Sequence, residues 1–258
     1  MEFGGGWDSA ARLVGGRWVE RRPRRPEVAV RLRREARLMP WLAPRLPLPV
    51  PVPEVVAEEP LVVRHLIVPG EPHEHLNAGH GRVLGRFLRC LHEVSVPDAV
   101  ARGVAPAADA AAELAGEVAR FRAEVVPMLA LDEQRAGLAL LDAVRDCPRD
   151  VLVHGDLGPE HVLADASGIT GVIDFADAGI GDPALDLAWA LHGTPTAFAD
   201  ALAAAYGVTD DQRERALHWH RLGPWYEVLH GIDAGDPDLV RSGLAGTAAR
   251  LEGAPAEP

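Results

Sequence analysis

His154-Gly155-Asp156-Leu157-Gly158-Pro159-Glu160-His161, followed by Gly171-Val172-Ile173-Asp174-Phe175, gathers proton- and metal-handling side chains into one short stretch. A carboxylate in such a group can orient a hydroxyl and take its proton, while a second carboxylate and an imidazole hold a cation. The apolar run Val151–Val153 predicts a buried strand that ends at His154. Segments 162–164 and 169–173, joined by a turn over 165–168, predict a hairpin. Pairing Val162 with Ile173 would set His161 opposite Asp174 at the open end of that hairpin. Asp156 lies in the loop that feeds the same end. A rival reading places Zn²⁺ among His154, Asp156 and His161.

These residues sit late in a chain of 258 residues, long enough for one large domain or two small ones. Upstream, Gly4-Gly5-Gly6 precedes an apolar stretch at 11–14, a Gly15-Gly16 turn and a second strand at 17–21. Glycines without Cβ atoms can approach phosphate closely. A helical period spans 27–42, and the alternate prolines of 44–53 demand an extended connector. A strand at 61–68 closes a small β-rich region, so the chain divides into residues 1–68 and 69–258. The second part reads as helices at 82–94, 107–128, 131–146, 183–191, 195–206, 210–222, 225–232 and 237–251, around the hairpin. The fold class expected is therefore α+β, with a small β-rich first lobe and a larger, mainly helical second lobe.

All 26 basic residues are arginine, which removes any mechanism needing a lysine amine. Residues 1–68 carry a formal +4 and residues 69–258 a formal −16. So acidic a major part argues against nucleic acid and favours a cationic partner. No apolar run is long enough to span a bilayer, and 1–6 has no secretory pattern. Two cysteines make no disulfide framework, so the expected setting is cytoplasmic, away from membranes. Composition sets no oligomeric state.

A Gly loop on a β-rich lobe, then a helical lobe with H-G-D-x-x-x-x-H and I-D-F, suits phosphoryl transfer, which needs positioning and electrostatics more than covalent chemistry. The string from His154 to Leu157, and that from Gly171 through Asp182-Pro183-Ala184-Leu185-Asp186, resemble the aminoglycoside phosphotransferase family. The resemblance extends to Phe3–Asp8 as nucleotide loop, to Arg34-Glu35-Ala36-Arg37 in the first-lobe helix, and to 84–92 in the helix after the hinge. It implies a bilobal protein-kinase-like fold and Mg²⁺-dependent transfer from ATP or GTP to a small-molecule hydroxyl. An aminoglycoside-like cation is the acceptor that suits the acidic second lobe. Macrolides, amino alcohols, sugars or a transfer-silent nucleotide binder are the alternatives.

Carried over residue by residue, the resemblance makes Asp156 the catalytic base and Asp174 the main metal ligand. His161 falls where most members have a metal-binding asparagine. Gly4, Gly5 and Gly6 would meet the phosphates. Glu35 matches the acid that pairs with a strand lysine, here replaced by Arg21, whose planar fork meets phosphate differently from an ammonium. Arg64, His65 and Leu66 fall at the hinge beside the nucleotide base. Asp177, Tyr226 and Glu227 would border the acceptor. His154, Asp182 and Asp186 read as scaffold.

Overall fold

The computed structural model describes residues 2–3, 9–72 and 76–251. Gly4, Gly5 and Gly6 lie outside the described residues. The chain opens with strands β1 (Glu2–Phe3), β2 (Ser9–Val14) and β3 (Trp18–Pro23), followed by helix α1 (Pro26–Leu42). Strands β4 (Glu54–Glu58) and β5 (Leu61–Leu66) complete an antiparallel five-stranded sheet of order β1-β2-β3-β5-β4. The Gly15-Gly16 turn that joins β2 to β3 has both glycines at positive φ, 59° and 67°, which the tight reversal needs.

Helix α1 belongs to two packing layers at once. Val28 and Leu32 join Leu61 and Val63 beneath the sheet. One and two turns later, Leu38, Met39 and Leu42 enter the main core of the helical part. The three- and four-residue spacing that buries these side chains also buries Glu35, which sits at the seam between the layers. After α1 the proline-rich segment runs extended, as alternate prolines require, and Pro49 O accepts a hydrogen bond from Val172 N at 3.1 Å. It is a connector laid against the second part, not a free arm.

The remainder is mainly helical. Strand β6 (Glu71–Pro72) leads into helices α2 (Ala78–His92), α3 (Val96–Val100), α4 (Ala107–Arg120) and α5 (Leu131–Arg145). Strands β7 (Val151–Val153), β8 (Val162–Asp165), β9 (Gly168–Val172) and β10 (Gly179–Gly181) carry the motif region. Helices α6 (Pro183–His192), α7 (Thr196–Tyr206), α8 (Asp210–Ala234) and α9 (Pro237–Leu251) complete the chain. Asn77, Asp182 and Thr209 cap α2, α6 and α8 through their side-chain oxygens.

Three sequence expectations need correction. The helix expected over 107–128 ends at Arg120 and continues as a π turn (Phe121–Val125) and a 3-10 turn (Val126–Met128), because Pro127 cannot sustain the ladder. The hairpin register is Val162 opposite Val172, with a bulge between Leu163 and Ala164. His161 therefore faces Ile173, whose N–H it accepts at 2.9 Å, and Asp174 lies one residue beyond. Helices expected at 210–222 and 225–232 are one helix, α8, with Pro224 inside. Proline removes the bond to the carbonyl four residues back. That carbonyl, His220 O, accepts instead from Arg250 Nη1 of α9 at 2.5 Å. Gly243 and Gly246 let α9 close on Pro224 and Val228, where a Cβ would crowd both.

Candidate active site

Strand β7 ends at His154, and the loop beyond it is held by a buried carboxylate. Asp186, in the first turn of α6, accepts from His154 N at 2.7 Å and Gly155 N at 3.0 Å. His92 Nε2, from α2, donates to the same carboxylate at 3.0 Å, and the other His92 nitrogen meets Tyr206 OH at 2.8 Å. Burial would raise the Asp186 carboxyl, but these donors outweigh it and hold it below the usual range. His154 has both ring nitrogens committed: Nε2 donates to Ile173 O at 2.9 Å and Nδ1 accepts from Asp156 N at 3.3 Å. A ring so occupied has no lone pair for a metal, which removes the zinc reading of this residue. Among the described residues, no three His, Cys, Asp or Glu side chains group as a metal-ion site.

Gly155 turns the chain at φ 87°, a left-handed value, with Asp177 packed behind it. A Cβ here would stand 2.5 Å from Asp177 O. Gly155→Ala is therefore expected to cost about 1–3 kcal/mol of stability, read as a fall in denaturant midpoint. An unchanged midpoint would mean that the loop has another conformation.

Asp156 follows with 62% of its side chain exposed. Partial desolvation raises its carboxyl, against the pull of His161 and His154. His161 Nδ1 donates to Asp156 O at 2.6 Å and lies 3.8 Å from Asp156 Oδ2. A carbonyl oxygen only accepts, so Nδ1 carries a proton in this bond.

Asp174 is the one non-glycine residue at positive φ among the described residues, at 65°. Aspartate tolerates that region better than most residues, and strained backbone of this kind concentrates at functional sites. Its Oδ1 accepts from Arg21 Nη2 at 2.9 Å and Ala176 N at 3.4 Å, while Oδ2 takes no hydrogen bond among the described residues. Burial would raise this carboxyl; Arg21, His161 and His154 together hold it below the ordinary range.

Arg21 joins the two parts of the molecule. Its Nε donates to Ser9 Oγ at 3.2 Å, Nη1 to Glu35 Oε2 at 3.0 Å, and Nη2 to Asp174. Glu35 is buried, its Oε1 without a hydrogen-bond partner among the described residues, and that burial pushes its carboxyl up to about 7 despite Arg21 and the backbone of Phe175.

Other expected residues divide. Arg64 pairs with Glu54 at 2.7 Å and stacks over Trp18, so its side chain is committed to the sheet. His65 is buried and donates from Nδ1 to Leu66 O at 2.9 Å. Asp177 pairs with Arg31 at 2.7 Å. Tyr226 projects from α8 and donates to Glu117 of α4 at 2.9 Å, whereas its neighbour Trp225 is wholly core. Glu227 is the acid that acts on Arg250, on the α9 side. Glu113 and Glu117 escaped the sequence reading. Their four-residue spacing marks one helix face, but only the fold carries that face to Tyr226 and Asp177.

A family model described as the phosphotransferase enzyme family matches residues 1–224. No curated protein matches significantly. Among solved structures, the GDP and kanamycin complex of APH(2")-IIia is 23% identical, with a TM-score of 0.85 over 98% of this chain and 92% of that one. Macrolide 2'-phosphotransferase MphH from Brachybacterium faecium, as apoenzyme, is 27% identical, with a TM-score of 0.74 over 100% and 93%. The streptomycin-ATP-APH(2")-IIa ternary complex is 18% identical, with a TM-score of 0.69 over 98% and 91%.

Proposed function

From the premise that the chain belongs to the phosphotransferase enzyme family, we propose that it moves the γ-phosphoryl group of ATP or GTP to a hydroxyl of a small, aminoglycoside-like cationic acceptor. The observation that carries this is the convergence of Asp156, His161 and Asp174 at the seam, with Arg21 reaching Asp174 from the sheet. Residues 1–68 then serve as the nucleotide lobe and 69–258 as the catalytic and acceptor lobe. The cytoplasm, where both nucleotides occur, is its setting. No helix among the described residues is long and apolar enough to cross a membrane.

In this reading Asp156 accepts the hydroxyl proton, its raised carboxyl better matched to that task than an ordinary aspartate. Arg21 supplies fixed positive charge toward the nucleotide phosphates, held in place by Glu35. Contact with those phosphates is the role proposed for Gly4, Gly5 and Gly6, and contact with the base that proposed for the backbone at 64–66. Asp177 and Tyr226 border the acceptor, with Glu117 and Glu113 taking the part expected of Glu227.

The donor set fits a hard cation: Asp174 offers an oxygen without a hydrogen bond among the described residues, and Mg²⁺ takes one or two carboxylates and completes its shell with phosphate and water. His161, through Nε2, is the softer ligand. Bound there, Mg²⁺ would neutralise charge developing on the phosphates. The test is nucleotide consumption against a panel of aminoglycosides, macrolides and amino alcohols, with ATP and with GTP. Acceptor-stimulated, Mg²⁺-dependent turnover supports transfer. Nucleotide binding without turnover would support a second reading, a transfer-silent binder, which the Arg21–Asp174 ion pair favours by engaging one oxygen of the metal ligand.

A further inference from the structure

Two arginines of α1 reach onto the segment that follows Asp174. Arg31 Nη1 lies 2.7 Å from Asp177 Oδ1, with both side chains about one-third exposed. Arg34 Nη2 donates to Ala176 O at 2.6 Å. Asp177 also backs onto the loop of Asp156, since its carbonyl is what a Cβ on Gly155 would strike. Glu113 and Glu117 of α4 act on the same corner, and Tyr226 OH is bound to Glu117. Partial desolvation, then Glu113 and Asp177, hold the Glu117 carboxyl above its usual range, while Arg31 pulls it down. Three carboxylates and two guanidiniums therefore share this corner.

Resting on the acceptor role given above to Asp177, we propose that Arg31 is a specificity-determining residue: its guanidinium occupies the Asp177 carboxylate where an acceptor ammonium would bind, so a cationic acceptor must displace it. Guanidinium and ammonium are both N⁺–H donors seeking the same oxygen lone pairs. The chain thus carries an internal competitor for the amines of its own acceptor. An uncharged acceptor has no claim on Asp177 and leaves the pair closed. Displacing Arg31 need not free α1, because Arg34 still holds Ala176 O and Arg21 still holds Asp174. The competition therefore falls on acceptor binding and not on the chemical step.

The experiment compares wild type, Arg31→Gln and Arg31→Lys with kanamycin and with fully N-acetylated kanamycin, which keeps the ring hydroxyls and loses the charge. Affinity is read by equilibrium titration of the nucleotide-loaded protein, and KM and kcat by transfer. Arg31→Gln is expected to bind kanamycin about three- to fivefold more tightly, the scale of a partly exposed ion pair. The acetylated compound, the nucleotide KM and kcat should be unchanged, and Arg31→Lys should return to wild type. Asp177→Asn, a second variant that keeps the side-chain shape, should bind kanamycin more weakly. Unchanged or weaker kanamycin binding in Arg31→Gln, or equal tightening of the acetylated compound, would overturn the proposal. Tighter kanamycin binding with no transfer by any variant to kanamycin or to any acceptor of the panel would keep Arg31 in this role and overturn the transferase reading instead.

Discussion

Asp156→Asn is expected to lower acceptor phosphorylation by roughly 10²–10⁴-fold, the usual contribution of a positioned general base. The substitution preserves shape, and the Asp156 contacts that shape the loop are made by its backbone: N–H to His154 and C=O from His161. The fold should therefore survive, with an unchanged thermal midpoint and an unchanged nucleotide affinity. The loss should appear in kcat. A residual rate within a factor of two or three of wild type would remove Asp156 from the proton-accepting role.

The second large effect is structural. Asp186→Ala leaves His154 N–H and Gly155 N–H without their acceptor in a buried region, and strips His92 of its carboxylate. Each stranded donor costs about 1–3 kcal/mol. Removing one partner of a buried charged network costs about 3–5 kcal/mol in all, a large share of a typical ~5–15 kcal/mol. Chemical denaturation should show that fall, and activity should drop with it, because the loop that presents Asp156 is tied down at its first two residues. Asp186→Asn should lie between the two, since an amide accepts at one oxygen but turns a donor toward the second N–H. A loss below about 1 kcal/mol in the alanine variant would show that this carboxylate does not carry the loop.

Local chemistry was the legible part of the site. Asp156, His161 and Asp174 sit in one loop-and-hairpin stretch, so their proximity follows from short-range strand and turn signals. The register was less legible: the bulge between Leu163 and Ala164 shifts the pairing by one residue, and its local mark is Gly171, the strand glycine opposite Leu163. Helix α8 failed for a non-local reason. Gly223-Pro224 reads as a break, yet a guanidinium from α9 replaces the hydrogen bond that the proline removes. The bridge from Arg21 to Asp174 spans 153 residues of sequence, and Tyr226 to Glu117 spans 109. Such pairs are set by how the sheet and helices stack, which no window of sequence contains. The double membership of α1 was partly visible, in that Glu35 falls on the apolar stripe where a charged residue needs a partner.

These particulars make Arg21 more than a replacement for lysine. A lysine ammonium is one compact charge, whereas the guanidinium here spreads three donors over Ser9, Glu35 and Asp174 at once. The sheet, α1 and the segment after β9 meet at that one side chain.

The most direct test of the central claim follows the phosphoryl group itself. Wild type and Asp156→Asn are incubated with γ-³²P-labelled ATP or GTP, Mg²⁺ and each acceptor of the panel, and the acceptor is separated and counted. Label is expected on the hydroxyl of at least one amine-bearing acceptor with wild type, dependent on Mg²⁺ and nearly lost with Asp156→Asn. Label released only as inorganic phosphate, or carried to the acceptor equally well by Asp156→Asn, would contradict it.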